Sequence, residues 1–116
     1  MHLVKTSVGE KARIEYVVRP EHTGYPGILH GGVTCVLFDE VMYHAVSMVG
    51  VVAVLAKIAV EYKRPARNGD LLLAEAEIVE RKGRKIEAAA ILIERQKGDI
   101  LAEARALFIE VDLEKL

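Results

Sequence analysis

The chain has 116 residues, room for one domain with one core, and its 52% hydrophobic and 28% charged residues are typical of a globular protein. Its net charge of -1 and its 5% aromatic content argue against nucleic acid as a partner. A single cysteine excludes an internal disulfide and a cysteine-based zinc site, and the four histidines lack metal-binding spacing.

The N-terminal segment lacks the features of a signal peptide, because Lys5 and Glu10 interrupt any apolar stretch. The longest strongly apolar run, residues 48–56, is far shorter than the roughly 18 residues that a membrane helix needs. We therefore expect a cytoplasmic protein without a membrane partner. The first predicted strand covers residues 12–18.

Two glycines, Gly31 and Gly32, begin a segment that has no proline, no turn signal and no alternation. The pattern predicts a helix over residues 31–48, and apolar residues on opposite sides of its wheel indicate burial all round. Glycines at a helix start leave backbone N–H groups approachable, which suits an oxyanion or another anion. The alternative is a plain turn into a helix. Two roles are open for His30: it donates a hydrogen bond, or it only fixes the loop.

One carboxylate on this helix, Asp39, has mostly apolar neighbours one turn away: Cys35, Val36, Met42 and Tyr43. A buried carboxylate is costly unless it is hydrogen-bonded, protonated or exposed to a cleft. Asp39 is therefore a candidate general base or nucleophile whose pKa is raised by burial. The alternative is a surface residue, or one bound to a backbone amide. Cys35 itself is interpreted as a packed core residue.

Beyond the helix, glycine-centred breaks recur about every fifteen residues, which predicts long strands joined by tight turns. The breaks lie at Gly69-Asp70, Gly83 and Gly98-Asp99. Apolar residues alternate with Glu and Arg over residues 71–79 and 101–107, which predicts strands with one buried face. Residues 88–93 are apolar on both faces, as in a strand that is covered on both sides, and residues 51–62 are also predicted to form a strand. Turns this short require antiparallel pairing. The sequence thus predicts an α+β fold with one strand, one buried helix and four further strands.

The spacing between Gly31 and Asp39 has a consequence for any joint chemistry. Seven to eight residues separate the two glycines from Asp39, roughly 11 Å along a helix axis, and Asp39 points to another side of the wheel. Catalytic groups must lie within about 3 Å of one scissile carbonyl. If both ends act together, they come from different subunits, and function requires at least a dimer.

Two basic clusters lie in the second half of the chain. Lys63 and Arg64 follow one predicted strand, and Arg84 lies at a predicted hairpin tip. Most charged hairpin tips are only solvated. In a protein of net charge -1, however, the clusters are candidates for binding the phosphates of a coenzyme A carrier.

Over about residues 24–111 the chain resembles the hotdog-fold acyl-CoA thioesterases, specifically the PaaI-like (phenylacetate-pathway) type. The most specific feature is the interval of nine residues between a His-Gly-Gly motif and an aspartate. The matching motifs are Leu29-His30-Gly31-Gly32, Leu37-Phe38-Asp39-Glu40 and Tyr62-Lys63-Arg64-Pro65-Ala66.

The resemblance implies a single hotdog domain over residues 1–116, with an antiparallel sheet of five to six strands around one long central helix. It also implies dimers that pair their sheets edge to edge, often tetramers, and no metal or redox cofactor. In such enzymes the residue matching Asp39 activates water or attacks the thioester. The backbone N–H matching Gly31 or Gly32 polarises the thioester carbonyl, and the histidine matching His30 supports the loop.

The chain departs from the family pattern at two positions. Gly24 stands where members often have Asn, and Leu55 stands where many have Ser or Thr. The expected activity is hydrolysis of a medium-chain or aryl acyl-CoA. The positions assigned to substrate binding are Gly24, Gly32, Leu55, Lys63, Arg64 and Arg84.

Two other functions stay open. The absence of both polar helpers leaves open a non-catalytic acyl-CoA-binding or regulatory module. A hotdog hydratase or dehydratase would instead need His30 and Asp39 within about 4 Å of each other across a dimer.

Overall fold

A computed structural model describes residues 4–8, 11–24, 27–112 and 114 of the chain. These residues form six strands, one α-helix and a short 3-10 helix at Pro20–His22. No helix in this described part is long and apolar enough to cross a membrane. The elements are β1 Val4–Val8, β2 Lys11–Val17, α1 Gly31–Ser47, β3 Ala53–Tyr62, β4 Leu71–Lys82, β5 Lys85–Glu94 and β6 Asp99–Glu110.

All six described strands pair antiparallel in one sheet of order β1-β2-β4-β5-β6-β3. One sheet with one long helix is the predicted hotdog fold. The glycines at the three predicted turns, Gly69, Gly83 and Gly98, have positive φ values of 88°, 60° and 75°. Backbone of this kind suits glycine, which has no Cβ, so these residues form turns between strands where the sequence predicts turns.

The structure has two strands before the helix, whereas the sequence predicts one. The additional strand, β1, has five residues and lies at the edge of the sheet, where it pairs with β2 alone. Its sequence is apolar only at its two ends, so it shows no alternation. The hairpin strands β4 and β5 also extend beyond the predicted bounds, to the turn at Gly83, because exposed charged residues continue the pairing there.

The helix α1 packs on the inner face of the sheet, against β2, β4 and β5. The inward positions of these strands include many alanines, which let a helix approach closely. The predicted alternation is confirmed, because Leu72, Ala74 and Ala76 of β4 are buried. The buried helix residues are Thr34, Leu37, Phe38, Val41, Met42, Ala45 and Val46.

One side of α1 is not covered by the sheet, so the prediction of a helix buried all round is wrong for the single chain. Val36 and Tyr43 are each 45% exposed, and Gly32 and Ser47 are exposed as well. With the partly buried Asp39 they form one stripe, which we term the open face of α1. A hydrophobic pattern shows which side chains are apolar, but it does not show whether other residues of the same chain bury them.

A second exposed apolar surface is the free edge of β3. This strand of ten residues pairs with β6 on one side, and no described strand pairs with its other side. Val54, Leu55 and Tyr62 on β3 are exposed. A long apolar edge strand presents unpaired N–H and C=O groups to a further strand.

Candidate active site

The N-terminus of α1 is capped by the side chain of His30. Its Nδ1 accepts a hydrogen bond of 2.9 Å from the Gly32 N–H, and its carbonyl accepts one of 2.9 Å from the Val33 N–H. Because Nδ1 is the acceptor, the proton of the neutral imidazole lies on Nε2. His30 therefore fixes the loop, which is one of the two roles that the sequence leaves open. Histidine is not a usual N-cap residue, so the sequence alone did not indicate the cap.

This cap distinguishes the two glycines. The Gly32 N–H is occupied by His30, whereas the Gly31 N–H has no hydrogen-bond partner among the described residues. The first N–H groups of a helix lack partners within the helix and lie at the positive end of its dipole. Gly31 therefore provides the donor that is available to an anion.

The carbonyl of Gly31 is held by a residue that the sequence did not single out. Tyr62, the last residue of β3, donates a hydrogen bond of 2.9 Å from Oη to this carbonyl. The Cys35 Sγ lies 3.3 Å from the same Oη. The hydrogen bond with Cys35, together with burial, raises the pKa of Tyr62 to about 12, so the phenol keeps its proton. Cys35 is half-buried and in contact with Tyr62, which corrects its interpretation as a packed core residue.

A pocket of about 450 Å³ opens beside Gly31, between the loop before α1 and the sheet. This volume lies within the range of about 300–1,000 Å³ that is usual for small-molecule sites. Its lining combines apolar side chains with two cations. The residues include Leu29, Thr34, Tyr62, Lys63, Arg64, Ala66, Leu92 and Leu101.

Asp39 lies two turns further along α1, on the open face. Burial raises the pKa of its carboxyl above the ordinary value, and the neighbouring Glu40 carboxylate raises that pKa further. Within the described residues, the Asp39 side chain forms no hydrogen bond and no ion pair, so no backbone amide holds it. A partly buried carboxylate of this kind can accept a proton from water.

Gly31 and Asp39 do not meet within one subunit. Both lie on the same continuous helix, and eight residues at about 1.5 Å each place them roughly 12 Å apart along its axis. As the sequence predicts, a site that uses both Gly31 and Asp39 therefore needs two subunits.

The two positions that depart from the family pattern lie in different places. Gly24 is in a turn, where its N–H donates to the Ile28 carbonyl at 3.0 Å, and a Cβ added there would meet nothing within 4 Å. Leu55 lies at the other end of β3 from Tyr62, beside a β-bulge. Seven residues of strand separate them, roughly 23 Å, so Leu55 is remote from Gly31 in the same subunit.

The two basic clusters, Lys63 with Arg64 and the hairpin residue Arg84, also lie in different places. Arg64 lies 3.3 Å from Asp99, and Lys63 lies 3.5 Å from Glu61. Both line the pocket beside Gly31.

Arg84 binds the Glu110 carbonyl through Nε and Nη2, at 3.1 Å and 3.0 Å. It precedes β5, whose Leu92 lines the pocket, so about eight strand residues, roughly 26 Å, separate Arg84 from that pocket. Within one subunit, the two clusters therefore do not lie together at one coenzyme A molecule.

The described residues contain no group of three or more His, Cys, Asp or Glu side chains that could hold a metal ion.

The family model for the thioesterase superfamily matches residues 26–102. Acyl-coenzyme A thioesterase 13 of Mus musculus is 29% identical over 99 residues, which cover 83% of this chain and 70% of that protein. Acyl-coenzyme A thioesterase THEM4 of Mus musculus is 28% identical over 92 residues, which cover 79% of this chain. The chain spans only 40% of the length of THEM4.

Among solved structures, the fold is similar to a hypothetical thioesterase of Streptococcus pneumoniae TIGR4 crystallised with coenzyme A. The TM-score is 0.89 at 17% identity, over 95% of this chain and 86% of that one. At this identity the likeness concerns the fold, and it agrees with the antiparallel sheet and long helix described above.

Proposed function

The chain belongs to the thioesterase superfamily, and on that premise we propose that it is an acyl-CoA thioesterase, which hydrolyses the thioester to a free acid and coenzyme A. One observation supports this proposal above all. Gly31 begins a helix of 17 residues beside a pocket of about 450 Å³, and its N–H has no partner among the described residues. The same helix bears the Asp39 carboxylate, which has no partner in that part of the chain and has a raised pKa.

In the proposed reaction, the carboxylate of Asp39 takes a proton from water while the water oxygen bonds to the thioester carbon. The carbonyl oxygen becomes an oxyanion and accepts a hydrogen bond from the Gly31 N–H. The C–S bond then breaks, and the departing thiolate takes the proton from Asp39. Direct attack by Asp39 is the alternative. Its carboxylate then bonds to the thioester carbon, the C–S bond breaks with release of the coenzyme A thiolate, and water hydrolyses the resulting mixed anhydride in a second step.

We propose that each site combines Gly31 of one subunit with Asp39 of another, in a homodimer or a tetramer built from dimers. Two surfaces support this assembly. The free edge of β3 can extend the sheet into a second copy, and the open face of α1 presents Val36 and Tyr43 together with Asp39.

For the substrate, we propose a medium-chain or aryl acyl group on coenzyme A. Lys63 and Arg64 line the same pocket as Gly31, which supports binding of an anionic carrier there. The coenzyme A in the Streptococcus pneumoniae structure is consistent with this class of ligand. Arg84 joins the same carrier only if a second subunit brings it near. The PaaI-like subtype rests on the interval from His30 to Asp39.

The test is thiol release from short, medium, long and aryl acyl-CoA substrates. Turnover of at least one of them supports the proposal and identifies the acyl class. Tight binding with no turnover on any substrate would contradict it in favour of the non-catalytic binding module, which the missing helpers at Gly24 and Leu55 support. A dehydratase is disfavoured because Nδ1 of His30 is already occupied and Nε2 holds the proton.

The rate should depend on pH through Asp39, because only its ionised form accepts a proton from water. Burial and Glu40 raise the pKa of Asp39, so kcat/KM is expected to rise with pH through a midpoint above 3.8, the ordinary value for the group. Glu40→Gln should move this midpoint to lower pH, because it removes a negative charge beside Asp39. A midpoint at or below 3.8, or one that Glu40→Gln leaves in place, would contradict the role of Asp39.

Restoring the missing amide at Gly24 should increase turnover. The turn has space for a side chain, and Gly24 is not among the glycines with positive φ, so asparagine fits without strain. We expect Gly24→Asn to raise kcat several-fold by adding a polar group to the site. Gly24→Ala is the matched control, since it adds a Cβ without an amide. Equal rates in the two variants would show that this position does not support the reaction.

A further inference from the structure

The peptide unit that joins Gly31 to Gly32 is bound at both of its polar ends. Its carbonyl, from Gly31, accepts the hydrogen bond from Tyr62 Oη at 2.9 Å. Its N–H, from Gly32, donates to His30 Nδ1 at 2.9 Å. A peptide unit is planar, so fixing both ends fixes the orientation of the whole unit.

The directions of these hydrogen bonds follow from the number of protons. Tyr62 has one hydroxyl proton, and the Gly31 carbonyl can only accept, so that proton points to Gly31. The Cys35 Sγ lies 3.3 Å from the same Oη and forms a hydrogen bond with it from the side of the helix. The result is a chain of three hydrogen bonds that runs from Cys35 through Tyr62 and the peptide unit to His30. Hydrogen bonds in such a chain polarise and strengthen one another.

We propose that Tyr62 and Cys35 are positioning residues, which clamp the Gly31–Gly32 peptide. The Gly31 N–H belongs to the preceding His30–Gly31 peptide, whose carbonyl accepts a hydrogen bond of 2.9 Å from the Val33 N–H. The two peptides meet at the Gly31 Cα, so the clamp restricts the backbone rotations that would turn this N–H away from the reacting carbonyl. This inference rests on the proposed thioesterase function. Two successive glycines have more backbone freedom than any other pair, so a donor on Gly31 needs external restraint. The restraint matters because a misplacement of about 1 Å in a catalytic group can cost roughly 10²-fold in rate.

The placement of Tyr62 suits this role. It is the last residue of β3, and β3 pairs along its length with β6, so the ring is mounted on the sheet rather than on a loop. A Cβ added at Gly31 would lie 3.4 Å from Tyr62 Oη, so the ring closes directly over the glycine. Cys35 lies one turn into α1 from Gly31, so it approaches the same hydroxyl from the helix.

Steady-state kinetics test the clamp. We expect Tyr62→Phe, which keeps the ring and removes the hydroxyl, to lower kcat roughly tenfold with KM changed less than about twofold. The pH midpoint assigned to Asp39 should not move. Cys35→Ala should lower kcat by a smaller factor, and Cys35→Ser should restore it, because the serine hydroxyl can again form a hydrogen bond with Tyr62. An unchanged kcat in Tyr62→Phe, or equal rates in the serine and alanine variants, would overturn the proposal.

Amide hydrogen exchange measured by NMR separates the clamp from the proposed function. Loss of the Tyr62 hydroxyl should speed exchange of the Gly32 N–H and shift its proton resonance, while the amides of β5 stay unchanged. An unchanged Gly32 amide in Tyr62→Phe would overturn the clamp even if wild type hydrolyses acyl-CoA. A wild type without turnover would overturn the proposed function. The exchange rate of the Gly32 N–H in Tyr62→Phe would then be the measurement that tests the clamp.

Discussion

Asp39→Asn is expected to reduce kcat for thiol release by roughly 10²–10⁴-fold, the range found for loss of a general base. Asparagine has nearly the same shape as aspartate, but it cannot accept a proton from water or attack the thioester. The carboxylate forms no hydrogen bond or ion pair within the described residues, so the substitution breaks no contact there. The measurement is the initial rate of thiol release at saturating acyl-CoA.

Glu40→Gln is the matched control, because it removes a carboxylate from the adjacent position of α1. Its kcat at neutral pH should stay within a few-fold of wild type, since it retains the carboxyl group of Asp39. A loss in Glu40→Gln as large as that in Asp39→Asn would contradict the assignment of Asp39 as the base.

Asp39→Asn should also increase the stability of the fold at neutral pH. Burial raises the pKa of Asp39 above its value in the unfolded chain, so the folded state holds the proton more tightly. The stability contributed by this group is therefore lost as pH rises from the unfolded pKa through the folded pKa. Urea unfolding should show Asp39→Asn more stable than wild type at pH 7, with the difference disappearing in acid. A less stable variant at pH 7 would contradict the burial of this charge.

Gly31→Pro is expected to reduce kcat by roughly 10²–10³-fold, the usual cost of removing one oxyanion donor. Proline lacks the backbone N–H, and it is well tolerated at the first position of a helix, which Gly31 occupies. The preceding residue, His30, has φ -62° and ψ 134°, a conformation that suits a residue before proline. The helix should therefore form normally while the donor is lost.

Gly31→Ala is the control for this substitution, because it adds a Cβ but retains the N–H. The added atom would lie 3.4 Å from Tyr62 Oη, an ordinary contact, so we expect kcat within a few-fold of wild type. Thermal unfolding should confirm that both variants fold. Equal activity in Gly31→Pro and wild type would show that another group stabilises the oxyanion.

Mixing the two inactive variants tests whether the site is shared between subunits. In a mixed dimer of Asp39→Asn and Gly31→Pro subunits, one of the two sites has both native residues. Random exchange of subunits should therefore restore about a quarter of the wild-type activity. A site contained in one subunit would show no recovery, and that result would contradict the shared site.

The main elements of the fold could be predicted because their signals are local. Alternation of alanine and leucine with charged residues, as at Leu72 to Glu77, indicates a strand with one buried face, and the structure buries that face. Glycines at the turns have the positive φ that the tight turns require. The five-residue strand β1 was missed because its own sequence has no strand pattern. It is a strand because it pairs with β2.

The candidate site could be predicted as a set of residue types, but not as an arrangement. The sequence identified His30, the two glycines and Asp39. Only the tertiary structure decided that Gly31 offers the free N–H, because His30 folds back onto Gly32. It also decided that the basic residues lie at opposite ends of the sheet, since that depends on which strands end at which edge.

The sequence by itself determined the helix, the glycine turns and the five longer strands, because backbone geometry ties these features to periods of a few residues. The tertiary structure decided which groups hold the Gly31–Gly32 peptide. Tyr62 lies 31 residues from Gly31 and 27 from Cys35, so their contacts exist only after β3 has paired with the sheet and α1 has packed against it. No local pattern records such a distance, because it is set by the register of the strands and the packing of the helix.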